Sequence, residues 1–133
     1  MDFDQEFFPN HIGLEITEAT PDLVAGRLDA TVTHQQPQGV THGGVHASIV
    51  ETLASVGGAL WAMEQGMATV VGVSNTTDFI RPHFTGWLHG VATPVHRGRT
   101  QQIWMVEVTN DAGKLVARGH VRLQNLAQPH TES

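Results

Sequence analysis

Glu51 is the only Asp, Glu, Lys or Arg between Val45 and Met63, a stretch otherwise dominated by apolar and small residues. A carboxylate there gives up hydration that a surface position would keep, so its presence asks for a chemical reason. Eight residues earlier stands Gly43, in the run His42-Gly43-Gly44 that opens the same stretch. In a helix the first backbone N–H groups have no intrahelical partner and lie at the positive end of the dipole. They can therefore hold a carbonyl oxygen as it gains negative charge. Gly43 suits that task, because without a side chain a substrate can come right up to its N–H. Each feature also has a plainer explanation: Gly43-Gly44 as a tight loop-to-helix turn, and Glu51 on a single wet face of the helix.

Other chemistries are narrowed by composition. The chain has no cysteine, which removes disulfides, a thiolate nucleophile and Cys-ligated zinc. His42 and His46 stand at i, i+4, a spacing that can chelate zinc, but no third ligand is apparent and no metal site is expected. A Ser-His-Asp triad lacks its nucleophile-elbow motif. Arg97-Gly98-Arg99 is a local basic turn fit for phosphate groups, or simply a solvated hairpin turn. A formal charge of -6 with only 7 Lys+Arg leaves no broad basic surface, so nucleic acid is not an expected partner.

These groups need elements to position them. With 133 residues, 40% hydrophobic and 15% charged, the chain reads as one globular domain (1–133) with its core at about 12–126. Asp2 to Asn10 suggests a short helix or turn anchored by Phe7, Phe8 and Ile12. Leu14 to Thr33 reads as a hairpin-like pair around Thr20-Pro21-Asp22, with Val24, Gly26, Leu28, Ala30 and Val32 on one side of a strand. His34 to Val40 is a loop. Val45 to Met63 follows as a helix about five turns long that must be wrapped on most sides, with Gly57-Gly58 marking close approach by another backbone.

Four strands follow: Ala68 to Arg81, Trp87 to His96, Gln101 to Val108 and Lys114 to Leu123. In the last, Leu115, Ala117, Gly119, Val121 and Leu123 alternate with charged neighbours, as in a sheet with one wet face. The residues from Gln124 to Ser133 taper into a tail, flexible from 127. The order predicts an α+β fold in which a curled antiparallel sheet wraps one long central helix. The acidic N-terminus lacks the basic-then-apolar order of a secretion signal, and Glu51 with its polar neighbours argues against a membrane span. A cytoplasmic protein that does not enter the membrane is expected.

Gln36-Pro37-Gln38-Gly39-Val40-Thr41-His42-Gly43-Gly44, followed by Glu51 and Ser55, resembles the active-site segment of hotdog-fold acyl-CoA thioesterases. The nearest branches are the glutamate-type 4-hydroxybenzoyl-CoA, the 1,4-dihydroxy-2-naphthoyl-CoA and the enterobactin-pathway proofreading thioesterases; the wider group includes the phenylacetate-pathway type. The likeness continues through Val70-Val71-Gly72-Val73, Asp78-Phe79-Ile80-Arg81-Pro82 and His96-Arg97-Gly98-Arg99-Thr100-Gln101, about residues 30 to 126 in all.

The resemblance implies a hotdog fold and hydrolysis of an acyl-CoA, aromatic or medium-length, with no cofactor, since coenzyme A is part of the substrate. It makes Glu51 the nucleophile or the general base for water, and the Gly43 N–H the group that polarises the thioester carbonyl. Gln36 matches a glutamine that bonds near the thioester, His42 a histidine that orients loop or substrate, and Ser55 a position that places water or the acyl end. Gly44, Phe79 and Arg81 fall at pocket positions, and Arg97, Gly98 and Arg99 at a turn for the phosphates of coenzyme A. The naphthoyl-CoA enzymes carry histidine where this chain has Phe79, which points to a more apolar acyl pocket here. Two alternatives stay open: a non-catalytic acyl-CoA-binding hotdog module, and a hotdog-fold enoyl-CoA hydratase. The second is disfavoured because Asp is absent from residues 31–77.

Helix rise adds a constraint. Gly43 and Glu51 are eight residues apart, roughly 12 Å along a helix, yet both must reach one small reacting group. Side-chain tilt recovers only part of the gap. The geometry predicts an antiparallel homodimer in which Gly43 of one subunit faces Glu51 of the other. The resemblance implies the same arrangement, often with dimers paired into tetramers.

Overall fold

The computed structural model describes residues 6–129. A short helix α1 (Phe8–His11) precedes a hairpin of β1 (Glu15–Ala19) and β2 (Val24–Ala30). Its turn is held by Thr20, whose Oγ1 accepts from the Asp22 and Leu23 N–H groups. Along β2, Val24, Gly26, Leu28 and Ala30 are buried and their neighbours are not, the expected alternation. The strand stops there. Val32, expected on the same face, lies in a 3-10 turn (Val32–His34) and is 73% exposed, because Thr31 caps that turn and redirects the chain.

The long helix α2 runs Gly43–Glu64, and its core-facing residues include Ile49, Val50, Leu53, Ala54, Val56 and Ala62. It is followed by β3 (Thr69–Phe79), β4 (Gly86–Arg97), β5 (Gln101–Thr109) and β6 (Leu115–Leu126). All neighbours pair antiparallel, in the order β1-β2-β4-β5-β6-β3. The curled six-stranded sheet wraps α2, and Leu28, Leu53, Leu88, Trp104 and Leu123 are fully buried between them. Each such side chain contributes about 2–3 kcal/mol through removal from water.

Gly57 and Gly58 permit close approach, but by side chains rather than by another backbone. A Cβ on Gly57 would lie 2.6 Å from the Trp104 ring, and one on Gly58 would lie 2.2 Å from Leu123. Trp104 donates its Nε1–H to Gln102 Oε1 at 2.8 Å. Gln102, fully buried, donates in turn to the Gly58 carbonyl and to Asn125 Oδ1. This network joins α2 to β5 and β6 and satisfies every polar group it buries.

Two further expectations are corrected. The end of β6 is ordered as strand through Leu126, since Asn125 is tied into that network; 130–133 lie outside the described residues. Phe7 and Phe8 do not anchor the N-terminal segment: both are more than half exposed, and only Ile12 packs on the core. Residues 1–5 of the expected helix or turn lie outside the described residues. No helix among the described residues is long and apolar enough to cross a membrane.

Candidate active site

The loop before α2 is docked onto the segment between β3 and β4. Thr41 N–H donates to the His83 carbonyl at 2.7 Å, and Gln35 Nε2 to the Phe84 carbonyl at 3.0 Å. His42 N–H donates to the His34 carbonyl at 2.8 Å, which fixes the residue that starts the helix. His42 is the N-cap: its Nδ1 accepts from Gly44 N–H at 2.8 Å and its carbonyl from Val45 N–H at 2.9 Å. With Nδ1 accepting, the ring proton sits on Nε2. Among the described residues the Gly43 N–H has no acceptor. The first turn of α2 therefore offers one unpaired N–H at the positive end of a 22-residue helix.

Gly43 borders a cavity of about 230 Å³ with Gln36, Thr41, His46, Phe79 and Arg81. Its missing side chain is used by the protein itself, since a Cβ there would meet the Phe79 ring at 2.4 Å. Phe79 is otherwise 60% exposed, and its ring also lies 5.9 Å from that of His46. His46 is buried. Burial first, and the nearby His83 second, lower its pKa from 6.5 to about 4, so the imidazole is neutral at neutral pH.

Glu51 occupies different ground. It lies on the exposed side of α2, against the expectation of a carboxylate buried among apolar residues. The single chain leaves this strip of the helix open beside β3, the unpaired edge of the sheet. Its Oε1 accepts from Asn75 Nδ2 at 3.4 Å, and the same Nδ2 donates to the Ala47 carbonyl at 3.0 Å. Asn75 Oδ1 is itself held by Thr77 Oγ1 at 2.7 Å. A smaller cavity, about 130 Å³, gathers Glu51 with Phe8, Ser48, Thr52 and Asn75. Within one chain, then, Gly43 and Glu51 open into separate cavities.

The remaining candidates divide between these places. Gln36, Phe79 and Arg81 border the Gly43 cavity, whereas His42 and Gly44 border a third one of about 410 Å³ beside Phe8 and Ser48. Ser55, partly buried one turn beyond Glu51, borders none of the three. Arg97 is already engaged: its Nη1 donates to Asp22 Oδ1 at 2.8 Å and to the Pro21 carbonyl at 2.9 Å, and its guanidinium lies over Trp61. Asn125 Nδ2 holds the Gly98 and Arg99 carbonyls, leaving the Arg99 side chain exposed and without a salt bridge among the described residues.

Two residues that the sequence did not single out shape the site. Asn75 gave no signal, because the faces of an edge strand cannot be told from its composition. His46 stands out in the sequence only for its zinc-chelating spacing from His42. Its spacing of three, four and seven residues from Ile49, Val50 and Leu53 places it on the core face of α2. His42 and His46 border different cavities, and no group of three metal-binding side chains occurs among the described residues.

A curled six-stranded antiparallel sheet wrapped around one long helix is the hotdog fold. The pattern of the thioesterase superfamily matches residues 38–117. A Mycobacterium tuberculosis protein that bears the provisional name of an esterase is 45% identical over 120 residues, 90% of this chain and 86% of the relative. Its structure superposes with a TM-score of 0.89 at 44% identity, covering 92% of this chain and 98% of that one. A thioesterase of Haemophilus influenzae superposes with a TM-score of 0.85 at 31% identity, over 96% of this chain and 89% of that one. The proofreading thioesterase EntH of Klebsiella pneumoniae is 32% identical over 104 residues, 78% of this chain and 74% of the relative. The chain belongs to the thioesterase superfamily, and it is a thioester hydrolase.

Proposed function

We propose that the protein hydrolyses an aromatic or medium-length acyl-CoA to the free acid and coenzyme A, at sites each formed by two copies of the chain. The observation that carries this reading is the unpaired Gly43 N–H, opening into a cavity beside Gln36 at the start of α2. As an oxygen nucleophile adds to the thioester carbon, charge builds on the carbonyl oxygen, and a fixed N–H at a helix start stabilises it without reorganising.

Glu51 supplies the other half. Acting as general base, it takes a proton from water while the water oxygen bonds to the carbonyl carbon; acting as nucleophile, it forms an anhydride that water then opens. In either route the C–S bond breaks and the thiol of coenzyme A leaves with a proton. Glu51 and Gly43 of one chain border separate cavities, which favours supply of Glu51 by a partner subunit. Strand β3 supports that arrangement. It is an 11-residue edge strand with no neighbour on its outer side among the described residues, exposed from Val71 to Ser74, and its Asn75 reaches Glu51. A free strand of that length is a template for pairing with a second copy.

In this reading Gln36 bonds near the thioester, Phe79 and Arg81 flank its path, His42 fixes the loop, and Ser55 places water or the acyl end. In the Arg97-Gly98-Arg99 turn, Arg99 is the arginine free to meet a phosphate of coenzyme A, and Arg97 braces the turn against Asp22. The names of the Klebsiella and Haemophilus relatives support thioester chemistry. The reading is tested by coenzyme A release from a thioester panel. Turnover of aromatic or medium-length acyl-CoAs is expected. Binding without turnover would instead identify an acyl-CoA-binding module, and water addition to an enoyl-CoA would identify a hydratase.

A further inference from the structure

Strand β3 changes phase partway along its length. Up to Gly72 its even-numbered residues face α2: Val70 pairs with Asn125 and Gly72 with Leu123, both on the buried side of β6. One extra residue, Val73, is then bulged out between Gly72 and Ser74. Beyond it the odd-numbered residues take over, with Asn75 paired to Val121, Thr77 to Gly119 and Phe79 to Ala117. Without the bulge Ser74, Thr76 and Asp78 would face the helix, and Asn75 would lie on the wet side. A bulge re-aims the side chains that follow it, and here the first one brought round reaches Glu51.

The Asn75 amide is held at both ends. The Ala47 carbonyl and the Glu51 carboxylate can only accept, so Nδ2 faces them both, at 3.0 and 3.4 Å. That leaves Oδ1 for the Thr77 hydroxyl, which donates to it at 2.7 Å. Thr77 has room to do so because residue 119 opposite is glycine: a Cβ there would lie 2.6 Å from Thr77 Oγ1 and 2.9 Å from Val50 Cγ1. Among the described residues Asn75 is the one side chain bonded to the Glu51 carboxylate, which forms no salt bridge. A glutamate on an open helix face samples several rotamers, and a donor fixed on the neighbouring strand narrows them. The donor takes Oε1 and leaves Oε2 for the reaction. We propose that Asn75, steadied by Thr77, is a positioning residue that holds the Glu51 carboxylate in its reactive orientation, with Thr77 acting only through Asn75. This rests on the reading above of Glu51 as the carboxylate that attacks the thioester or activates water.

Steady-state release of coenzyme A by the full-length protein tests this, from a thioester panel that includes benzoyl-CoA and hexanoyl-CoA, with thermal unfolding measured alongside. Asn75→Ala should lower kcat about tenfold and move KM by less than about twofold. Thr77→Val keeps the shape and loses the hydroxyl; it should lower kcat about threefold, and Thr77→Ser should keep most of the wild-type rate. Thr77→Val added to Asn75→Ala should cost nothing further, because the amide that the hydroxyl steadies is already gone. If the pair merely ties β3 to α2, the unfolding temperature falls while kcat holds, and the proposal is overturned. It is overturned as well if the loss falls on KM, if the two losses multiply, or if serine serves no better than valine. Should Asn75→Ala fail to fold, Thr77→Val and Thr77→Ser decide alone, since both leave the bond to Ala47 in place. Glu51→Ala keeps the two claims apart. An inactive Glu51→Ala beside fully active Asn75 and Thr77 variants sinks only the positioning role. An active Glu51→Ala, or no release from any thioester by the wild type, sinks the reading of Glu51 and this proposal with it.

Discussion

Asn75 on the edge strand β3 donates its side-chain amide both to the Glu51 carboxylate, at 3.4 Å, and to the Ala47 carbonyl, at 3.0 Å. One residue thus sets the orientation of the proposed catalytic group and ties the strand to the helix beneath it. Glu51→Ala is expected to lower kcat by about several hundredfold or more, as removal of a group used in the chemical step should. Because Glu51 is exposed in the single chain, its thermal unfolding should shift little. Asn75→Ala, which leaves the carboxylate in place but unguided, should cost less, about tenfold in kcat. Near-wild-type turnover by Glu51→Ala would remove it from the mechanism.

Gly43 occupies the first helical position, where proline is well tolerated, and His42 before it has φ -62° and ψ 136°, the conformation a following proline favours. Gly43→Pro therefore deletes the one N–H in question with little harm to the helix. A Cβ at this position meets the ring of Phe79, an exposed side chain that can turn aside. Loss of a single oxyanion donor should reduce kcat by about 100-fold to 1000-fold. Circular dichroism should show the helix intact, and full activity in such a protein would exclude the Gly43 N–H as the polarising group.

Much of this was legible in the sequence, for physical reasons that differ from place to place. The period-two alternation of Ala117, Gly119, Val121 and Leu123 and the long, mostly apolar stretch around Glu51 are imposed by burial, so element order and fold followed from them. The helix start followed from His42-Gly43-Gly44. What escaped was set by tertiary context. The exposure of Glu51 depends on β3 being an edge strand, which pairing order decides and composition does not. The engagement of Arg97 with Asp22 joins residues 75 apart in the chain. Val32 followed the alternation of β2 on paper, yet Thr31 ends the strand with a cap. The pairing of Gly43 with a partner's Glu51 is an expectation from helix rise and from the resemblance; the single chain places the two residues on separate cavities.

His46 also makes stability depend on pH. Its pKa is lowered to about 4 in the folded protein, by burial first and by His83 second, against 6.5 when exposed. Between those values the unfolded chain binds the proton and the folded one does not, so stability falls as pH drops from 6.5 toward 4 and is fully present above 6.5. The full loss is on the order of 3 kcal/mol. Urea unfolding at pH 5 and pH 7.5 should show about 2 kcal/mol of it, and His46→Leu should lose distinctly less on acidification. Equal losses in the two proteins would contradict a buried neutral imidazole.

Gln102 is the hub of the core network, bonded to Trp104, Gly58 and Asn125. Gln102→Leu fills the space but orphans the Trp104 Nε1–H and the Asn125 Oδ1 in a dry interior. The expected cost is about 2–4 kcal/mol, a fall of roughly 10 °C in Tm. Asn125 also carries the Gly98-Arg99 turn, so KM for acyl-CoA should rise while kcat changes less. An unchanged Tm would mean that the network adds nothing beyond packing.

The central claim is that each site takes Gly43 from one chain and Glu51 from another, and subunit mixing tests it most directly. Gly43→Pro and Glu51→Ala, each nearly inactive, are unfolded together in equal amounts and refolded, with hybrid formation verified by mass spectrometry. In a mixed dimer one site carries both lesions and the other carries none. Random pairing should then restore about one quarter of wild-type activity. Verified hybrids that release coenzyme A no faster than the separate variants would show that each chain builds its own site, contrary to the mechanism proposed.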